Sequence, residues 1–483
     1  MPTRQAASAL NRFGLGARAG ELQSLREPRE ALLKQLSVPP LQGEIFAGLP
    51  TSREYLQREF AYNRERLAEL RAQRSTVANP ADAGDAVEKF KRSFRASFGD
   101  DQLAELGARY RAATASDAGF AERLVRFWSN HFAISVDKRQ AALYAAPMER
   151  EAIRPHVCGR FEDMLIAAET HPGMLRYLDN AQSVGETSTF AERGERRLRK
   201  RGNGMPPRKL GLNENLAREI LELHTLGVDG GYKQTDVAEL ARAITGWGTP
   251  LARDFADGQP NDVFVFRAVA HEPGARNVLG KRYAEGGVEQ GRAVLADLAR
   301  HPSTAKHLSL KLARHFVADE PPPALVERMA AAYLKSGGEL REVYRAMIEN
   351  DLAWTPDARK FKTPDDFLVS ALRAGGIDGG IRPQGVVALL RQLGQPPFTP
   401  RSPAGFADRA ADWTGPDALW KRVQAAEALA QRLPQQRLDP AALAQAALGP
   451  ALDADTATAL KRAESARDGA ALLFASPAFQ WRT

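Results

Sequence analysis

Cysteine is nearly missing from this chain: Cys158 is the single one in 483 residues. An intramolecular disulfide is therefore excluded, and one thiol cannot by itself hold a zinc or iron–sulfur centre. Cys158 reads instead as a small buried apolar residue. Aromatic residues make up only 7%, and none interleaves the densest basic stretch, which removes the stacking platform of a single-strand nucleic-acid binder. No run approaches the roughly 20 apolar residues that a membrane-spanning helix needs. Met1-Pro2-Thr3-Arg4 leads into an Ala-rich helix start without the apolar core of a signal peptide, so the chain as written is expected to be cytoplasmic.

Familiar chemical signatures are missing too. Gly274 and Gly280-Lys281 are separated by five residues and followed by Arg282, which breaks the phosphate-loop spacing. Gly14-Leu15-Gly16 lacks the third glycine of a dinucleotide fingerprint. Asp229-Gly230-Gly231 puts glycine and lysine where a calcium loop needs oxygen ligands. His271-Glu272 has no second histidine at zinc-protease spacing, and neither a Gly-x-Ser-x-Gly elbow nor a haem-attachment motif occurs. No cofactor is assigned by motif.

What the chain does have is length, charge and helical periodicity. A chain of 483 residues, 43% hydrophobic and 26% charged, is long enough for two or three subdomains around a sizeable core. Its net charge of +8 is unevenly spread: between Glu192 and Lys209 eight basic residues face two acidic ones, so this stretch alone carries +6. Gly194, Gly202, Gly204, Pro206 and Pro207 make it a basic loop. A solvated insertion or a contact for an acidic partner follows from that composition; nucleic acid does not, because the remainder is close to charge-balanced.

Apolar residues recur at spacings of three and four almost everywhere, as in Leu124, Val125, Trp128 and Phe132. The expected fold is all-α, a multi-helical orthogonal array with at most a small β-hairpin near 262–280, from Val263–Phe266 and Asn277–Leu279. Four regions are expected. Residues 1–182 form an N-terminal helical region containing a charged helical hairpin over 52–110, broken near Asn79-Pro80, and 183–210 the flexible basic loop. Residues 211–355 form a central helical region, and 356–483 a C-terminal one.

The densest polar pattern lies in the central region. From Asn213 to Gly227 a helix places Glu214, Arg218 and Glu222 four apart, with Asn215 and Glu219 beside them and Leu216, Ile220 and Leu223 facing inward. The bland interpretation is a surface charge ladder. The chemical one turns Glu219 and Asn213 or Asn215 toward a cleft, with Arg218 holding a carboxylate or phosphate. His131 lies near an apolar face and reads first as a satisfied core histidine. His271 sits before Gly274 in a turn, where functional groups collect. Asp179-Asn180 closes a helix and is a further candidate. His307 and His315, eight apart, read as structural. Asp236, with Glu239 three residues on, resembles a helix N-cap.

These blocks carry a resemblance. Ala9 to Gly16, Phe127-Trp128-Ser129-Asn130-His131-Phe132, Met174 to Asn180, Asn213 to Gly227, Thr245-Gly246-Trp247, His271-Glu272-Pro273-Gly274, Lys311 to Val317 and Ser476 to Gln480 resemble the bacterial domain of unknown function 1800 family over nearly the whole chain. The resemblance implies a helical fold and, because the family has no established activity, little about chemistry. It also implies a sulfatase-like partner protein encoded nearby, and an extracytoplasmic location for those relatives that carry export signals.

Two functions of different kinds follow. One is a scaffold or accessory protein acting with a partner, its polar blocks tying helices together. The other is a hydrolase or transferase on an anionic substrate. Glu219, Glu214, His271 and His131 would supply acid–base chemistry there, Arg218, Asn213, Asn215, Asp179 and Asn180 would bind, and a metal on Asp179, Glu219 and His271 is a variant. Convergence of these side chains on one open pocket favours the second, and dispersal favours the first.

Overall fold

Abundant alanine and leucine at helical spacing produce a mostly helical architecture, described here from a computed structural model covering residues 2–37, 40, 43–74, 83–194, 211–256, 262–377, 382–434 and 438–483. At its centre runs the Gly119–His131 helix, buried on nearly every face. Its apolar side, Phe120, Leu124, Val125 and Trp128, joins the larger core, which extends through the Phe161–Glu169, Gln234–Ala243, Val288–Ala299, Pro302–Phe316, Pro323–Ser336 and Leu340–Ile348 helices. Its charged residues are buried as well, each with a partner. Glu122 meets Arg154, Arg123 meets Asp366 at 2.6 Å, and Arg126 meets Asp365. A buried charge without a counter-charge would be strongly destabilising, so these pairs fix how the helix is seated.

A second core lies toward the C-terminus. It gathers Phe367, Leu368 and Leu372 of the Pro364–Ala374 helix with the Pro383–Gln392, Pro416–Ala430 and Ala466–Ala475 helices, and reaches back to Leu15 and Tyr110. Thr363 caps the Pro364–Ala374 helix, its hydroxyl accepting from Asp366 N, with proline at the first position. That cap places Asp365 and Asp366 in the first turn, directed back at the arginines of the central helix.

The charged stretch near the N-terminus forms two helices, Ser52–Arg74 and Ala83–Ala115, bridged by Arg58–Asp101 at 2.6 Å and by Tyr62 donating to Ser93. The expected break at Asn79-Pro80 lies outside the described residues, as does the basic loop from 195 to 210.

The strands pair differently from the expected hairpin. Val265–Phe266 pairs antiparallel with Trp247–Gly248, and Arg276–Val278 pairs with Lys281–Tyr283 across the Leu279-Gly280 turn. Gly280, at φ 76°, supplies the left-handed turn that draws Arg276–Val278 to its immediate neighbour instead of to 263–266. A third pairing, Lys360–Phe361 with Trp481–Arg482, holds the last residues against the second core.

Three π-helical segments occur among the described residues: Ala9–Phe13, Glu149–Ile153 and Ile220–His224. The last continues the Asn215–Glu219 helix and changes its phase. Leu216, Ile220 and Leu221 are fully buried, whereas Leu223 is turned partly outward and His224 inward, because the wider turn rotates every later side chain. The next helix begins at Gln234, so Asp236 lies inside its first turn, where its carboxylate accepts from Lys233 N at 2.8 Å.

Candidate functional site

The polar residues singled out in the sequence divide between surface, interior ties and one cavity. Glu214, Arg218 and Gln234 form a closed surface triangle: Arg218 donates to Glu214 at 3.2 Å and to Gln234 at 2.8 Å, and Gln234 donates to Glu214 at 2.7 Å. Asn213 accepts from Asn215 N at 2.9 Å and so organises the helix start, while Asn215 itself is exposed. Glu219 is half-buried beside Tyr177 and His224; burial raises its pKa, with His224 opposing. Asp179, at φ 59°, pairs with Lys138 at 2.6 Å. Asn180 is buried and donates to the carbonyls of Ile244 and Trp247, at 3.2 Å each. His271 is buried with Nδ1 2.9 Å from the Thr245 carbonyl, and its neighbour Glu272 accepts from Thr187 N and Oγ1. Asp179, Glu219 and His271 are not gathered together, and among the described residues no group of three or more His, Cys, Asp or Glu could hold a metal ion.

His131 is placed otherwise. It lines a partly enclosed cavity of about 350 Å³, formed where the central helix and the Pro302–Phe316 helix meet the first turn of Pro364–Ala374. The segment 395–412 closes it. Asn130 holds that segment in place, donating to the Phe406 carbonyl at 3.0 Å and accepting from Phe406 N at 2.8 Å. Gly405, at φ 83°, permits this approach, since a Cβ there would lie 2.3 Å from the Asn130 carbonyl oxygen. Val136 N donates to the Phe398 carbonyl at 2.8 Å, and Phe398 itself sits in the left-handed region at φ 52°. Non-glycine residues in that region concentrate at ligand clamps and active sites.

The cavity is rich in charge, and most of it is paired. Asp365 lies between Arg126 and Arg109, which is 3.7 Å away, and accepts from the Tyr110 hydroxyl. Burial alone would raise Asp366, but Arg123, with Arg482 3.6 Å away, overcomes it and holds this carboxyl well below its usual range. Asp408 is likewise held low against burial by His315, at 3.1 Å, and by Lys360. Arg409 reaches Glu320 at 3.3 Å.

Lys311 is different. Its side chain lines the cavity and, among the described residues, makes no hydrogen bond or ion pair. Burial, opposed by Asp408 and reinforced by Arg314, brings its ammonium down to about 8. Arg314 uses Nε on the Asp319 carbonyl at 3.1 Å, and its terminal nitrogens have no protein acceptor among the described residues. His131 completes this face. Nε2 faces the His224 carbonyl at 3.1 Å and must donate to it, which leaves Nδ1 of the neutral ring as a free acceptor. Burial and the nearby Lys311 hold that imidazole well below its ordinary pKa. Behind it His224 Nδ1 meets Glu169 at 2.7 Å, both fully buried.

Of the sequence candidates, then, only His131 lines the cavity; Lys311, Arg314, Asp365 and Asp408 were not among them. The signal was present at helical spacing. His307, Lys311 and His315 are four apart and Arg314 is adjacent, so one face of a single helix presents all of them. Taken as a pair eight apart, the two histidines looked unrelated, because the lysine between them was left out.

The cavity joins two blocks that the sequence set apart, Phe127–Phe132 and Lys311–Val317. No curated protein and no solved structure matches the chain. One family profile does, spanning residues 8–481. The chain belongs to the family described as protein of unknown function (DUF1800).

Proposed function

We propose that this protein binds a small anionic compound, bearing a carboxylate or phosphate, in the cavity between its two cores. The observation that carries this is Lys311, an ammonium at the cavity wall with no ion pair or hydrogen bond among the described residues, the Asp408 carboxylate that favours its charge being paired with His315 and Lys360. Removing a cation from bulk water without pairing it costs free energy, and an anionic ligand is the partner that recovers it. Arg314 adds terminal donors that have no protein acceptor among the described residues, and the partly enclosed shape limits competition from water. The anionic-substrate reading of the sequence is retained, but its seat moves from the Asn213 helix to the cavity, with His131 common to both.

Calorimetric titration near neutral pH with inorganic phosphate, pyruvate and phenylpyruvate tests this directly. Saturable binding of at least one is expected, weakened roughly tenfold or more in Lys311→Met. No heat of binding from any of the three removes the reading.

The scaffold reading keeps specific support from the Glu214–Arg218–Gln234 triangle and from Asn180, whose hydrogen bonds tie elements together. Partnership with a sulfatase-like protein is part of that second proposal, as is an acidic partner for residues 192–209. No helix among the described residues is long and apolar enough to cross a membrane.

A further inference from the structure

The cavity is lined by two unlike sets of side chains, and the mixture bears on the kind of compound it takes. Polar groups without an ion pair among the described residues come from the Pro302–Phe316 and Gly119–His131 helices, with Lys311, Arg314 and His131. Apolar and aromatic lining comes from Pro396, Pro397, Phe398 and Phe406 of the closing segment, which also contributes Asp408, Arg409 and Asp412, and from Phe127 and Ile134. A simple inorganic anion would leave the apolar lining unused. A carboxylate with an apolar or aromatic tail would engage both sets.

We infer that Lys311 is an amine nucleophile that forms an imine with the carbonyl carbon of an aromatic or apolar 2-oxo acid. The acid's carboxylate lies on Arg314 and its tail on the Phe398–Phe406 wall. This rests on the anion-binding reading above and names the substrate class of the same cavity.

Three features of the site support it. First, the amine makes no ion pair among the described residues, so no carboxylate there locks it as an ammonium. Second, burial disfavours the protonated form strongly enough to outweigh the opposing Asp408 carboxylate, and Arg314, three residues on, adds a charge of the same sign. A lysine desolvated beside another cation is the arrangement that activates an amine toward carbonyl compounds. Third, the adjacent imidazole is neutral, and its free Nδ1 can accept a hydrogen bond from the amine or from the carbinolamine hydroxyl.

The step balances without an added oxidant or reductant. The ammonium releases one proton to solvent, and the nitrogen lone pair then forms an N–C bond as the carbonyl π pair moves onto oxygen. One N–H proton passes to that oxygen to give a carbinolamine. Protonation of its hydroxyl by solvent lets water leave as the C=N bond forms. The net change is ammonium plus ketone to protonated imine plus water.

Phenylpyruvate and borohydride added together to the full-length protein test the inference, with calorimetry of phenylpyruvate binding run alongside. The expected result is one stable adduct whose mass is that of phenylpyruvate less one oxygen, after allowance for the two hydrogens added by reduction. Peptide mapping should locate it at Lys311, and Lys311→Arg, folded by circular dichroism, should lose it. Binding by calorimetry with no borohydride-dependent adduct, or adducts confined to other lysines, overturns the imine and leaves the anion-binding reading in place. Absence of any phenylpyruvate binding overturns the assignment of substrate class. Failure of phosphate and pyruvate as well would remove the anion site itself.

Discussion

Replacing Lys311 with methionine should make this protein more stable, not less. The ammonium sits at about 8 where a solvated lysine has 10.5, so the folded environment disfavours its charge. A shift of that size corresponds to at most about 3 kcal/mol. Methionine keeps much of the stem's packing while removing the charge, so a gain of roughly 1–2 kcal/mol near neutral pH is expected. The pH dependence supplies a sharper test. Below about 8 both the folded and the unfolded wild-type chains hold the proton, and the penalty is fully present. Between about 8 and 10.5 the unfolded chain still holds it and the folded one does not, so wild-type stability rises with pH relative to the variant across that window. Urea denaturation followed by circular dichroism, at a series of pH values for both proteins, measures the difference. A variant less stable than wild type at neutral pH would refute the reasoning, as would an advantage that stays constant up to pH 10.5.

Three further outcomes are expected. Asp366→Asn leaves Arg123 and Arg482 buried without their carboxylate and should cost roughly 3–5 kcal/mol in urea denaturation. Because the folded carboxyl lies well below its ordinary 3.8, its contribution is present above that value and lost as the pH falls from it, so the variant's acid limb should be flatter. Gly405→Ala puts a Cβ against the Asn130 carbonyl at a φ of 83°; a loss of roughly 1–3 kcal/mol and weaker ligand binding are expected, and an unchanged melting temperature would contradict the close approach. Glu214→Ala and Arg218→Ala should each change stability by less than about 1 kcal/mol, as for exposed pairs, and leave titration of the cavity unaltered. Lost binding in either would return the site to the Asn213 helix.

Much of the secondary structure was legible because helical periodicity is a local property. Leu216 and Ile220 fall on a buried face simply because they are four apart. Phase was not legible where a π turn intervenes, so Leu223 was misplaced and the inward turn of His224 was not anticipated. Strand partners were also hidden, since Val265–Phe266 could have met either Trp247–Gly248 or 276–278, and only the glycine turn at 280 excluded the latter.

The site shows the same division. Asn180 and His271 carry the same functional groups whether they tie a carbonyl in the interior or face a ligand, and nothing within a few residues of either distinguishes the two. Lys311 poses the reverse problem. On paper it is one of many lysines, and its distinction is a buried ammonium with no ion pair among the described residues, which depends on every segment packed around it. Asp365, Asp366 and Asp408 each neutralise some other cation, and the Arg123–Asp366 pairing alone spans 243 residues of chain. The order of apolar and polar residues along the chain was enough to determine a helical protein, because helix formation and amphipathic burial act over a few turns. Which charge stays without an ion pair among the described residues, and so where we propose that an anion is held, was decided only by tertiary packing, since Coulomb pairing depends on distance in space and not on distance in sequence.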